Sequence, residues 1–243
     1  MVGGDDRDLV MTTPTNGHLV HFTLHVPDLD RGRRFYSSLL RWELDEGDHP
    51  IATNLQLSGG LAQGSDPLTC YFWSNDVEAT VARVRELGGA SDGAATGPSG
   101  EWALCRDPQG GQFSVSWLRP DLRPTSLEPS LAAGELGYWV IPAADMAGAR
   151  EFYGHVFGWE FAPGEQYAHV TNVATPGGIA MMEGDAPKAW FRVLNMEESL
   201  AAVATLGGIA GEVSSSDSGL SASCRDDQGV SFELWQPAAG LPV

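Results

Sequence analysis

His21-Phe22-Thr23-Leu24-His25-Val26-Pro27-Asp28, running on to Phe35-Tyr36-Ser37-Ser38-Leu39-Leu40-Arg41-Trp42, is a stretch that the chain uses twice. The second copy is Tyr138-Trp139-Val140-Ile141-Pro142-Ala143-Ala144-Asp145, running on to Phe152-Tyr153-Gly154-His155-Val156-Phe157-Gly158-Trp159. The two Phe-Tyr pairs lie 117 positions apart. Each copy reads as a strand, a capped helix and the start of a return strand. Leu19 to Val26 alternates with period two, and Asp28 or Asp30 supplies a side-chain oxygen for the free N–H groups of a first helical turn. Leu29, Phe35, Tyr36, Leu39 and Leu40 then fall on one helical face.

Outward from this stretch the pattern continues. Trp42 to Leu44 and Ile51 to Leu57 read as strands, Gly59-Gly60 as a turn and Leu61 to Gly64 as a further strand, giving βαβββ. A second unit follows, with a strand at Leu68 to Ser74 and a helix capped by Asp76 and stopped by Gly88-Gly89. Its later strands lie at Ala90 to Ala95, Trp102 to Arg106 and Gln112 to Leu118. The remainder repeats the series, and Cys105-Arg106-Asp107-Pro108-Gln109-Gly110 returns as Cys224-Arg225-Asp226-Asp227-Gln228-Gly229 at an offset of 119. Such internal duplication is a fold-level signal. The reading is an α+β fold of four βαβββ modules, paired into two tandem domains at 18–119 and 135–238. Residues 1–17 form a loose tail, without the basic start and apolar core of a secretory signal. Residues 120–134, rich in proline and without a period, form a linker.

Composition narrows the function classes. The chain has 14 Lys and Arg against 32 Asp and Glu, a net charge of −18. Nucleic acid and anionic membranes both need clustered positive charge, so neither is expected as a partner. No apolar run reaches the roughly 18 residues of a membrane span. Three cysteines without a CxxC pair read as small buried residues in a reducing cytoplasm. There is no phosphate-binding glycine loop and no Gly-x-Ser-x-Gly elbow.

The signature His-x-x-Leu-x-Val-x-Asp-Leu, followed by Phe-Tyr-x-x-Leu and Trp42, together with the Leu-Gly-Gly helix end and the Asp-Pro-x-Gly turn, resembles the vicinal oxygen chelate superfamily. That group holds glyoxalases, ring-cleaving dioxygenases and bleomycin-resistance proteins. The resemblance spans about residues 18–237 and implies two glyoxalase-like domains whose mixed sheets curl into cups. The two-domain, tryptophan-rich form is similar to actinobacterial glyoxalase-like proteins, some of which accompany aromatic polyketide pathways. Metal enzymes of the superfamily place two His and two Glu on the first and last strands of paired modules. Those slots correspond here to His21, Gln63, Cys70 and Ser114 in the first domain. In the second they correspond to Tyr138, Met181 or Glu183, Ala189 and Glu233. Neither set is one that a divalent metal favours, so no metal or other cofactor is expected.

The implied cup faces suggest a ligand instead. His21, Thr23, His25, Gln63, Cys70, Phe72, Trp102, Ser114 and Ser116 are expected to line the first cup. Tyr138, Phe191 and Trp235 are expected in the second. Aromatic, hydroxyl and a few titratable groups suit a planar, partly polar organic molecule. His21 reads as a pocket-wall or hydrogen-bonded core histidine. Acid–base work by His21 or Glu233 is the catalytic alternative, because imidazole titrates near neutrality. Three functions follow from this reading. The first is a metal-free protein, monomer or homodimer, that binds an aromatic natural product for resistance or as a biosynthetic accessory. The second is a cofactor-independent cyclase, isomerase or hydrolase, and the third a metal-dependent lyase or dioxygenase.

Overall fold

The computed structural model describes residues 14–65, 68–124, 130 and 132–240. Most of the expected tail, and residues 125–129 and 131 of the expected linker, lie outside the described residues. β1 (Leu19–Val26) leads into α1 (Leu29–Leu40), and Asp28 caps that helix by accepting the Arg31 N–H at 3.0 Å. β2 (Gly59–Gln63), β3 (Leu68–Trp73) and α2 (Val77–Glu86) follow, the helix capped by Asp76. β4 (Ala90–Ser91), β5 (Ala95–Gly97), β6 (Gly100–Arg106) and β7 (Gln112–Leu118) complete the first sheet, and a 3-10 turn spans Pro120–Leu122.

The second half runs through β8 (Leu136–Ala143), α3 (Met146–Phe157), β9 (Tyr167–His169), β10 (Gly177–Met181) and β11 (Lys188–Arg192). It closes with α4 (Met196–Thr205), β12 (Val213–Ser216), β13 (Gly219–Arg225) and β14 (Ser231–Pro237). Asp145 and Asn195 cap α3 and α4. The strand orders are β2-β1-β3-β7-β6-β4, with β5 beside β6, and β12-β13-β14-β11-β8-β10-β9. Both sheets are mixed: β1 runs parallel to β2 and antiparallel to β3, and β8 is parallel to β10 and antiparallel to β11.

Three local expectations need correction. Trp42 to Leu44 and Ile51 to Leu57 are not strands, since their pairing is confined to isolated bridges of Leu44 with Ala52 and Ile51 with Gly60. Gly59-Gly60 is not a turn but the start of β2. A Cβ on Gly59 would lie 2.1 Å from the Phe22 ring, and one on Gly60 2.1 Å from the Pro50 carbonyl oxygen. Gly177 and Gly178 meet the same limits, at 2.0 Å from the Trp139 ring and 2.2 Å from the Ala168 carbonyl oxygen. The glycine pairs are there because another chain segment approaches too closely for a side chain.

The helix-bearing faces of the two sheets pack on each other through one continuous core. Phe72 of β3 lies 4.9 Å from the Trp139 ring and 5.1 Å from the Trp159 ring. In the mirrored position Phe191 of β11 lies 5.5 Å from Phe22 and 5.4 Å from Trp42. The repeated motifs fasten this interface reciprocally. The Tyr153 hydroxyl donates to the Asp107 carboxylate at 2.9 Å, and the Tyr36 hydroxyl to Asp226 at 3.2 Å. Gln109 bonds the backbone at Ala144 and Asp145, and Gln228 bonds the backbone of Asp28. Trp42 and Trp159 donate from their indole nitrogens to the carbonyls of Gly134 and Gly17. Each half's turn and helix thus close on the other half. Burial pushes the Asp226 carboxyl up, while bonds from the Val230 and Gln228 N–H groups and the Tyr36 hydroxyl oppose the shift.

Candidate ligand-binding site

With the helix faces joined, the opposite face of the first sheet is left to form a cup. Alternation along β1 points His21, Thr23 and His25 into it. The pairing of β1 with β3 sets Tyr71 opposite His21 and Thr69 opposite Thr23, and directly paired residues share a face. The loop before β2 brings Ser58, and β6 and β7 bring Trp102 and Ser116, which are paired across the sheet. The cavity so formed measures about 480 Å³. Its rim carries His49, Ile51 and Ser99, together with Leu118 and Leu122. Leu122 arrives on the 3-10 turn, so the first residues of the expected linker wall the cup. Arg123 anchors that turn, with its guanidinium 5.1 Å from the Trp73 ring and 5.5 Å from the Trp117 ring.

The floor of the cup is a network of hydroxyls and imidazoles. His21 Nδ1 lies 2.9 Å from Ser58 Oγ, and His21 Nε2 lies 3.2 Å from Thr23 Oγ1. The Tyr71 hydroxyl shares Thr23, and His25 Nε2 lies 3.1 Å from Thr69 Oγ1. Burial holds the His21 imidazole down to about 4, a bond with the Ser58 backbone opposing only in part. His21 is therefore uncharged at neutral pH. As a general base it is weak there, because effective proton transfer needs a pKa near the working pH. It is well suited to give and take hydrogen bonds.

The expected site residues separate into three groups. His21, Thr23, His25, Trp102 and Ser116 come together in the first cavity. Ser114 shares that sheet face through its pairing with Tyr71, but it is fully buried and donates to the Ala103 carbonyl at 2.9 Å. Tyr138, Glu233 and Trp235 lie on the outer face of the second sheet. There the Tyr138 hydroxyl is 2.9 Å from His169 Nδ1, and its ring packs against Tyr167 and Trp190. Glu233 accepts the Ser223 hydroxyl at 2.6 Å and lies 3.5 Å from Lys188 Nζ. His21 and Glu233 thus stand on different sheets and form no acid–base pair.

Four placements are corrected. Cys70, Phe72 and Phe191 point into the core between the sheets, each 1% exposed or less. Gln63 is exposed and donates to the Pro27 carbonyl, on the face of β2 away from the cavity. The cause is the same for the three core residues. β3 reads Leu-Thr-Cys-Tyr-Phe-Trp and β11 Lys-Ala-Trp-Phe-Arg, with large side chains on both faces. A strand packed on both sides loses the polar alternation that would set its phase. Tyr71 is the important residue that went unforeseen. A signal existed, because the antiparallel partner of His21 must enter the same cup.

These positions also test whether the ligand slots of metal-bearing relatives fit a metal here. His21 has both ring nitrogens engaged by hydroxyls, Cys70 and Ala189 lie in the core, and Ser114 is committed to a backbone carbonyl. Glu233 faces a lysine. Among the described residues no three His, Cys, Asp or Glu side chains converge on a point. The donor set does not fit a divalent cation.

The family model described as a glyoxalase-like domain matches residues 21–116. That segment of the first half is similar to a glyoxalase-like domain. Over nearly its whole length the chain shares its fold with solved dioxygenases. It resembles an extradiol ring-cleaving dioxygenase from B. fuscum at 16% identity and a TM-score of 0.66, over 96% of this chain and 75% of that one. It also resembles the 2,3-dioxygenase LapB from Pseudomonas sp. KL28, at 12% identity and a TM-score of 0.63, over 95% of this chain and 97% of that one. No curated protein matches in sequence. Within this glyoxalase-like fold, no helix among the described residues is long and apolar enough to cross a membrane.

Proposed function

We propose that the protein binds a planar, partly polar aromatic natural product in the first cup, without a metal, as a resistance or biosynthetic accessory protein. One observation carries this reading. A cavity of about 480 Å³ combines an indole, a phenol ring and apolar rim residues with a floor of hydroxyls and imidazoles. That volume falls in the range that holds drug-sized ligands, and a few placed polar groups in an apolar wall are what orient them. Ring cleavage, the activity named for the structural relatives, is not carried over, because the slots for a metal do not fit one. The proposed setting is the cytoplasm, with the protein a monomer or a homodimer.

The test is a fluorescence titration of the purified protein with hydroxylated fused-ring polyketides, followed by mass analysis of the recovered ligand. Saturable tryptophan quenching, unaffected by EDTA and with the ligand unchanged, is expected. Conversion of the ligand that vanishes in His21→Ala would replace binding with cofactor-independent catalysis. Conversion that vanishes with chelator would restore a metal-dependent lyase or dioxygenase.

A further inference from the structure

The wall of the first cup differs from the rest of the molecule in its charge. The chain has 32 Asp and Glu and 14 Lys and Arg, yet none of the residues described along the cavity wall is one of these. The polar atoms there belong to Thr23, Ser58, Tyr71, Ser99 and Ser116 and to the imidazoles of His21, His25 and His49. Arg123, which closes the nearby turn, is stacked on Trp73 and Trp117 and donates to the Leu118 carbonyl. The second sheet offers the contrast, with Glu233 and Lys188 set against each other on its outer face.

An ion entering the first cup would shed water and meet no Asp, Glu, Lys or Arg among the described wall residues, at a cost of several kcal/mol. A neutral ring bearing hydroxyl or carbonyl oxygens meets partners that can both donate and accept. Resting on the ligand-binding reading above, we infer that the first cup selects uncharged oxygenated aromatics, such as phenols and quinones, and rejects carboxylates and ammonium ions of the same shape. Selection of this kind works largely by exclusion, since the described wall residues offer a charged congener no Asp, Glu, Lys or Arg to pair with.

Three naphthalenes of similar size test this by titration calorimetry at neutral pH: dihydroxynaphthalene, naphthoic acid and naphthylmethylamine. The neutral probe is expected to bind at least about tenfold tighter than either ion, a difference of ~1.4 kcal/mol. Binding should be lost in Trp102→Ala, with folding checked by circular dichroism. Ser99→Asp, at an exposed position on the rim, should raise the affinity for the amine and lower that for the acid. Equal or tighter binding of an ion, abolished by Trp102→Ala, overturns the charge selection and leaves the cup as a ligand site. Failure of all three probes to saturate, or binding indifferent to Trp102→Ala, overturns the ligand-binding reading itself and the selection with it.

Discussion

The outer faces of the two sheets began from the same repeated sequence and ended differently. At the third position of β1 and β8 stand His21 and Tyr138. His21 bonds to hydroxyls beneath an open cavity, whereas Tyr138 is stacked with His169 and flanked by Tyr167 and Trp190. At the third position of β7 and β14 stand Ser114 and Glu233, the one small and bonded to the Ala103 carbonyl, the other held by Lys188 and Ser223. The first face keeps small hydroxyl residues, which leave room. The second carries larger rings and an ion pair. One scaffold therefore presents a cavity lined by small hydroxyl residues on one side and a face of larger side chains on the other.

The largest expected effect tests what the halves still share. Gly60→Ala and Gly178→Ala should each destabilise the protein by about 3 kcal/mol, because the new Cβ meets a backbone carbonyl that cannot move aside. Chemical denaturation would read this, and a cost confined to one half would mean that the scaffolds differ as well as the faces. Next come the tryptophans. Trp190→Ala should cost ~2 kcal/mol, since it removes packing against Tyr138, and should leave ligand binding in the first cup intact. Trp102→Ala should cost less than about 1 kcal/mol and abolish binding. If Trp190→Ala weakens binding as much as Trp102→Ala, the contrast between open and filled faces fails.

The last expected effect concerns pH. The His21 pKa is lowered from its ordinary 6.5 to about 4 in the folded protein, so between those values the unfolded chain binds more protons. Stability from this group is present above pH 6.5 and is lost as pH falls toward 4. The loss from pH 7 to pH 5 should be at most about 2 kcal/mol. His18 and His169 are also lowered by burial and act in the same direction. His21→Asn, which keeps hydrogen-bonding capacity, should flatten the dependence of the urea midpoint on pH. An unchanged slope would show that His21 is not a neutral floor group.

Much of the architecture was legible because it rests on local rules. The sequence offers Asp28 or Asp30 as the first helix cap and Asp76 as the second, and Asp28 and Asp76 are the caps, since a short side-chain oxygen needs only its own helix to act. The duplication of Phe35-Tyr36 and Cys105-Arg106-Asp107 announced paired modules. What those residues do was not legible. Tyr36 and Asp226 are 190 positions apart and bond only because the halves close reciprocally. The same closure buries both faces of β3, which is why Cys70 and Phe72 were assigned to the cup and belong to the core.

The sequence by itself determined the repeated α+β modules and their caps, because periodicity and capping act within a few residues, while the mixed sheets were implied by the family resemblance. It also determined that His21, Thr23 and His25 share a face, by the two-residue period of a strand. Only the tertiary structure decided which face of β3 joins them and set Tyr71 beside His21. It also brought Leu122 over the rim and closed the second face with rings. Those outcomes depend on strand register and on how two curved sheets meet, and no stretch of sequence encodes either alone.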